Sequence, residues 1–165
     1  MRVGDVVSFP TWQMHSLQHG VRVIEFQTPH YERMIVMFGQ KVLTQDHWTT
    51  EEALAGMKPE VYQPPQPELI WQRDGVCCER VVNFLDFDAF RLSIPAGKRI
   101  QLEGKGNYQL LMGVEGYGQL LVGGESCGTV RHEEGWMIPA VTDDCWLESR
   151  GAGDLICLQA IPKSS

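Results

Sequence analysis

The stretch GDVVSFPTWQMHSLQHG, residues 4–20, places two histidines, His15 and His19, four positions apart behind a glycine and a proline. Neutral imidazole is a good ligand for zinc and similar cations, so the pair raises the question of a metal centre. Four-residue spacing sets two ligands on one face of a helix, and equally on one face of a strand. The flanking Gly4, Pro10 and Gly20 suit a strand and a turn better than a helix. Catalytic zinc takes three protein ligands and keeps one position open. A site at His15 and His19 therefore needs a further donor, such as Glu25, Asp46 or His47, and the spacing singles out none of them. His30 and His47, beside Pro29 and Trp48, read as loop residues, and His132 in RHEEG reads as solvated.

Five cysteines, Cys77, Cys78, Cys127, Cys145 and Cys157, are an odd number whose one close pair is adjacent, which suits neither a disulfide framework nor a zinc knuckle. They read as reduced. In runs such as VCCERVV and DLICLQA a cysteine acts as a small hydrophobe rather than a nucleophile. Among Trp12, Trp48, Trp71, Trp136 and Trp146 a sugar-stacking face is conceivable, but core or rim packing is the simpler role. Trp12 is the one placed to fill the space beside His15.

The elements that must carry these residues are short and β-rich. DVVSF, VRVIEF, RMIVMF, GVCCERVVNF, AFRLSI, NYQLLMGV, GQLLVG, GWMIP, CWLES and DLICLQAI follow one another, punctuated by glycine and proline, as in all-β sandwiches and barrels. In AFRLSIP, alternation predicts that Phe90, Leu92 and Ile94 share a buried face and Arg91 and Ser93 the other. One helix is expected, at TTEEALAGM, with a threonine cap, Glu51 and Glu52 in its first turn and Gly56 to stop it. Prolines crowd KPEVYQPPQPE, which cannot enter the centre of a sheet and reads as a linker. The chain then divides into residues 1–57, a linker over 58–67, and residues 68–165 with strands enough to close a barrel.

Composition limits the function classes. The chain has 165 residues, 43% hydrophobic and 21% charged, enough for one domain with a core and an appended piece. Net charge is -7 and the 14 lysines and arginines are scattered singly, so no nucleic-acid partner is expected. No apolar run approaches a bilayer span and no signal-peptide pattern opens the chain, so no membrane partner and a cytoplasmic location are expected.

Gly4, Pro10, Trp12, His15 and His19 fall in register on the second motif of the cupins, which runs Gly, five residues, Pro, one, Gly, two, His, three, Asn. Gly4, Pro10 and His15 match in type; Trp12 replaces glycine and His19 replaces asparagine. The continuation VRVIEFQTPHYER to FGQKVLTQDHW resembles the short mannose-6-phosphate isomerase branch of that superfamily. The resemblance implies an aldose–ketose isomerisation of a sugar phosphate, with zinc as cofactor, His15 as one metal ligand and Arg33 of HYER as the arginine stabilising developing negative charge. Here Glu32 separates Tyr31 from Arg33, where the branch has an adjacent pair.

The first cupin motif, laid from Gly97, lands on Glu103, Lys105, Gln109 and Gly116, so both glycines are kept and all three ligands are replaced. The second motif's spacing from Pro139 puts Asp144 at its histidine. The resemblance thus implies an all-β fold: a complete cupin jelly-roll barrel over 68–165 whose metal ligands are lost, preceded by a partial cupin barrel and one short helix. In the degenerate site Lys105 would replace the dication's charge, with Glu103 or Asp144 as its counter-ion. The strands bearing the other zinc ligands of the catalytic barrel would precede Met1. A half-barrel leaves open edges, so residues 5–38 are expected to pack on the second barrel or to pair with another copy in a homodimer. Two functions follow: a mannose-6-phosphate isomerase-like protein, incomplete as these 165 residues, or a non-enzymatic cupin module that binds a sugar or stabilises a homo-oligomer. A cupin dioxygenase is weaker, since its iron also needs the replaced ligands.

Overall fold

A computed structural model describes residues 4–28, 50–60, 63, 66–103 and 106–163. The chain forms two units, Met1–Pro64 and Pro65–Ser165, divided within the proline-rich segment.

The second unit holds ten strands: β1 (Glu68–Arg73), β2 (Val76–Asn83), β3 (Phe87–Ile94), β4 (Arg99–Gln101), β5 (Gln109–Glu115), β6 (Tyr117–Val122), β7 (Glu125–Arg131), β8 (Gly135–Ile138), β9 (Cys145–Ser149) and β10 (Leu155–Pro162). They make a six-stranded sheet in the order β1-β2-β3-β10-β5-β8 and a four-stranded sheet in the order β4-β9-β6-β7. The topology is one long hairpin folded over itself. β6 pairs with β7 across its tip, and β5 with β8, β4 with β9 and β3 with β10 as it widens, all antiparallel. Alternate pairs fall in opposite sheets, which is the jelly roll. At the tip Gly123 and Gly124 both take positive φ, as the tightest hairpin turns require. The β1–β2 hairpin extends the larger sheet.

Period-two burial explains why these sequences become these strands. Leu92 and Ile94 of β3 face a core shared with Val76, Cys78, Ile100, Leu102, Leu111, Leu120, Val130, Ile138, Cys145, Leu147, Leu155 and Cys157. Phe90 packs against that core from the same face of β3, as the alternation of AFRLSIP requires, with Arg91 and Ser93 between them pointing the other way. Three strands depart from the expected runs. β1 lies at the linker boundary, β4 is only RIQ, and β7 is the mostly polar ESCGTVR; their partners, rather than their own hydrophobicity, make them strands. None of the five cysteines is in a disulfide, and Cys78, Cys145 and Cys157 are buried.

The first unit contains α1 (Thr50–Gly56), with Glu51 and Glu52 in its first turn and Ala53 buried. Over residues 4–28 no strand forms. The segments DVVSF and VRVIEF, expected as strands of a partial barrel, find no ladder among the described residues, where the one bridge of this unit is Gln13 to Lys58. RMIVMF lies outside the described residues. Trp12 takes a φ of 70°, in the left-handed region that glycine occupies cheaply, at the motif position where cupins have glycine. Its ring lies against Gly56 at the end of α1, so it does not fill a cavity beside His15. No helix among the described residues is long and apolar enough to cross a membrane.

Candidate functional site

Cross-strand registers set one row of side chains over the inner face of the larger sheet. Glu68 of β1 faces Arg80 of β2, Arg80 faces Phe90 of β3, Phe90 faces Gln159 of β10, and Gln159 faces Leu111 of β5. Each polar member extends a buried series by one step of the pleat: Val76 and Cys78 lead to Arg80, Leu155 and Cys157 lead to Gln159. On β5, Gln109 stands two residues from the core residue Leu111 on the same face.

Gln109 is only 1% exposed and Gln159 only 7%. The Nε2 of Gln159 donates to the Oε1 of Gln109. That bond uses one donor and one acceptor, so the Gln109 amide NH2 and the Gln159 carbonyl stand outside it. At the open end of the row Arg80 donates through Nε, at 3.1 Å, and through Nη2 to the Oε2 of Glu68. Next to Phe90 on the same face of β3, Asp88 meets Lys163, whose Nζ is 3.2 Å from its Oδ1. Lys163 also donates to the Asn83 Oδ1 at 2.6 Å and the Phe84 carbonyl at 2.5 Å. The row and Asp88 beside it thus hold two cations each paired with a carboxylate, two amides and an aromatic ring.

Three of the four positions of the expected degenerate site lie among the described residues. Gln109 is buried, Glu103 and Asp144 are exposed, and Lys105 lies outside the described residues. Asp144 adopts a φ of 51° in the turn before β9, which swings its side chain back so that Oδ1 accepts from the Trp146 Nε1 at 2.7 Å. The partner of Gln109 is Gln159, a residue outside either motif; its signal in the sequence was the alternation of ICLQA, which carries the inward face from Cys157 to Gln159.

In the first unit His15 is exposed, its Nδ1 donates to the Gln13 carbonyl at 2.9 Å, and its ring stacks on Phe9 with centroids 4.2 Å apart. His19 is exposed as well. Arg33, His30 and His47 lie outside the described residues. His132 donates through Nδ1 to the Val114 carbonyl at 2.6 Å. No group of three or more histidine, cysteine, aspartate or glutamate side chains able to hold a metal occurs among the described residues, so they do not fit the zinc that the resemblance implies. The buried thiols offer no nucleophile: burial pushes Cys145 up to about 11 and Cys157 up to about 12, which keeps both protonated.

No family model and no curated protein matches the chain. Solved structures do. A cupin 2 conserved barrel domain protein from Salinispora arenicola is similar at 10% identity and a TM-score of 0.50, over 66% of this chain and 90% of that one. KdgF from a Halomonas species is 14% identical, with a TM-score of 0.49 over 61% of this chain and 90% of that one. A cupin-superfamily sugar phosphate isomerase from Silicibacter pomeroyi is 11% identical, with a TM-score of 0.47 over 60% and 71%. The likeness is one of fold: the barrel is a jelly roll like that of the Salinispora cupin-barrel protein.

Proposed function

We propose that this chain is a mannose-6-phosphate isomerase-like cupin protein whose barrel is a non-catalytic module, binding a small polar ligand at the end lined by Gln109 and Gln159. The bond between these two glutamines carries the reading. An isomerase needs a Lewis acid where charge develops on the substrate oxygens, and zinc needs three converging donors. At the motif position that would supply a carboxylate stands a neutral amide, already engaged with another neutral amide. Neither is a zinc ligand of the usual nitrogen, sulfur or carboxylate type. Catalysis by the same chain would rest on His15 and Arg33, with the remaining ligands supplied by another polypeptide.

Metal analysis of the purified chain, combined with an assay of mannose 6-phosphate conversion in added zinc, tests this. The reading predicts neither stoichiometric zinc nor turnover. Both together would overturn it in favour of the isomerase.

A further inference from the structure

We infer that β1 is a docking edge for a second copy of this chain, two barrels joining through an antiparallel β1–β1 pair about a two-fold axis. The inference concerns the edge of the larger sheet and is independent of whether the barrel is catalytic. β1, β8, β4 and β7 are the outermost strands of the two sheets. β8 has four residues and β4 three, and β7 is the mostly polar ESCGTVR with a register shift against β6. β1, ELIWQR, is different. Its six residues include no proline and no lysine, the residues that commonly keep edges apart, and Leu69 is 56% and Ile70 42% exposed. An edge strand offers its row of backbone N–H and C=O groups to any strand that fits beside it.

Register selects a second copy as that strand. Opposed residues of an antiparallel pair point to the same face of the sheet. Glu68, Trp71 and Arg73 stand opposite Arg80, Cys78 and Val76 and share the inner face, whereas Leu69 and Gln72, opposite Glu79 and Cys77, share the outer one. Unbroken alternation would put Glu68 and Arg73, five residues apart, on opposite faces. The register shift between Leu69 and Trp71 brings both to the inner face. Two copies related by a two-fold axis at the middle of β1 therefore set Glu68 opposite the second copy's Arg73 and Leu69 opposite its Gln72, each twice over.

Charge fixes the direction. Arg73 is exposed and forms no ion pair among the described residues, and Arg80 engages only the Oε2 of Glu68, which leaves Oε1 for a second cation. A parallel pair in register would set Glu68 against Glu68 and Arg73 against Arg73. Nearby charges add no conflict: Glu79 is held by Arg91, and Asp74 falls opposite the second copy's Pro67.

One strand pair is a small interface, so a reversible dimer with a Kd on the order of 10 μM is expected. Sedimentation equilibrium of the full chain from about 1 to about 200 μM measures it. Leu69→Lys, which places a charge on the exposed edge, should raise the Kd about tenfold or more, and so should Arg73→Glu, which sets like charges opposite each other. Arg73→Lys should still dimerise. Thermal unfolding at a dilution where all variants are monomeric should give one common Tm, and if Leu69→Lys fails to fold, the contrast between Arg73→Glu and Arg73→Lys decides. A chain that stays monomeric at about 200 μM, an assembly larger than a dimer, a Kd unchanged by Arg73→Glu, or equal weakening by Arg73→Glu and Arg73→Lys would each overturn the inference.

Discussion

Gln159 on β10 donates to Gln109 on β5 across 50 residues of sequence, joining the strand that carries the cupin motif's carboxylate position to the last strand of the barrel. The resemblance gives the Gln109 position to a metal-binding residue; here its side chain accepts from Gln159. Among the described residues of the barrel, the buried side chains are otherwise apolar except for Ser149.

Because both amides are buried, their stabilities are coupled. Gln109→Leu or Gln159→Leu alone should cost about 1–3 kcal/mol, since each strands the other's polar group in an apolar surrounding. The double variant should cost clearly less than the sum, since it removes both. Urea unfolding of the four proteins measures this. Additive losses would mean that the two amides are not partners.

Lys163 ties the end of β10 to the loop between β2 and β3 through Asn83, the Phe84 carbonyl and Asp88. Its own N–H donates to the Asp86 carbonyl at 2.8 Å. Replacement by methionine keeps the stem but removes the ammonium 3.2 Å from the buried Asp88 Oδ1, which has no hydrogen-bond partner among the described residues. A loss of about 1 kcal/mol is expected, tempered because the lysine is partly exposed. Thermal unfolding of Lys163→Met should show a lower Tm; an unchanged Tm would mean that the latch is ornamental.

Gly113 of β5 and the first-motif Gly116 just after it can be separated from the tip glycines by experiment. A Cβ on Gly116 would collide with the Asp154 carbonyl, and its φ of 83° is left-handed; a Cβ on Gly113 would collide with the Arg131 carbonyl. Alanine at either place should cost upwards of about 3 kcal/mol, because backbone rather than a flexible side chain must yield. Gly123→Ala meets open space and bears only the backbone term, about 1 kcal/mol. Chemical denaturation midpoints should rank the three accordingly.

Alkaline pH should weaken the barrel through its buried thiols. The pKa values of Cys145 and Cys157 are raised from 9.0 to about 11 and about 12, chiefly by burial. Below 9.0 the thiols are protonated in both the folded and unfolded chain, and their contribution is complete. As pH rises above that, the unfolded chain releases protons that the folded chain retains, so stability falls until the folded pKa values are passed. Guanidinium midpoints should therefore drop from about pH 8 to about pH 10, and less steeply in Cys157→Ala. An equal slope in the variant would show that Cys157 is not the cause. At neutral pH the exposed Cys127 should react first with a thiol reagent.

The sequence revealed the barrel better than its working end. Alternation in AFRLSIP and in the run ending LICLQAIP sufficed to place β3 and β10, because hydrophobic faces repeat locally. β4 and β7 were hidden because their residues are polar and their strand character comes from β9 and β6 beside them. The polar row was hidden for the same reason: Glu68, Arg80, Gln159 and Lys163 are unremarkable one by one and meet only through register. Motif spacing singled out Gln109, which is buried, but not its partner Gln159, and the left-handed conformation that lets Asp144 accept from Trp146 is something no spacing rule reveals. His15, the most suggestive residue of the sequence, stacks on Phe9 at the surface instead. How Arg33 and Lys105 are placed lies outside the described residues.

On the reading proposed above, the amide pair occupies the barrel position where a cupin metal would be held. Equilibrium dialysis of the full chain against zinc, with the bound metal counted per chain and repeated on Gln109→Ala, tests it most directly. Zinc well below one per chain, unaffected by the substitution, is the predicted result; one zinc per chain that is lost in Gln109→Ala would contradict it.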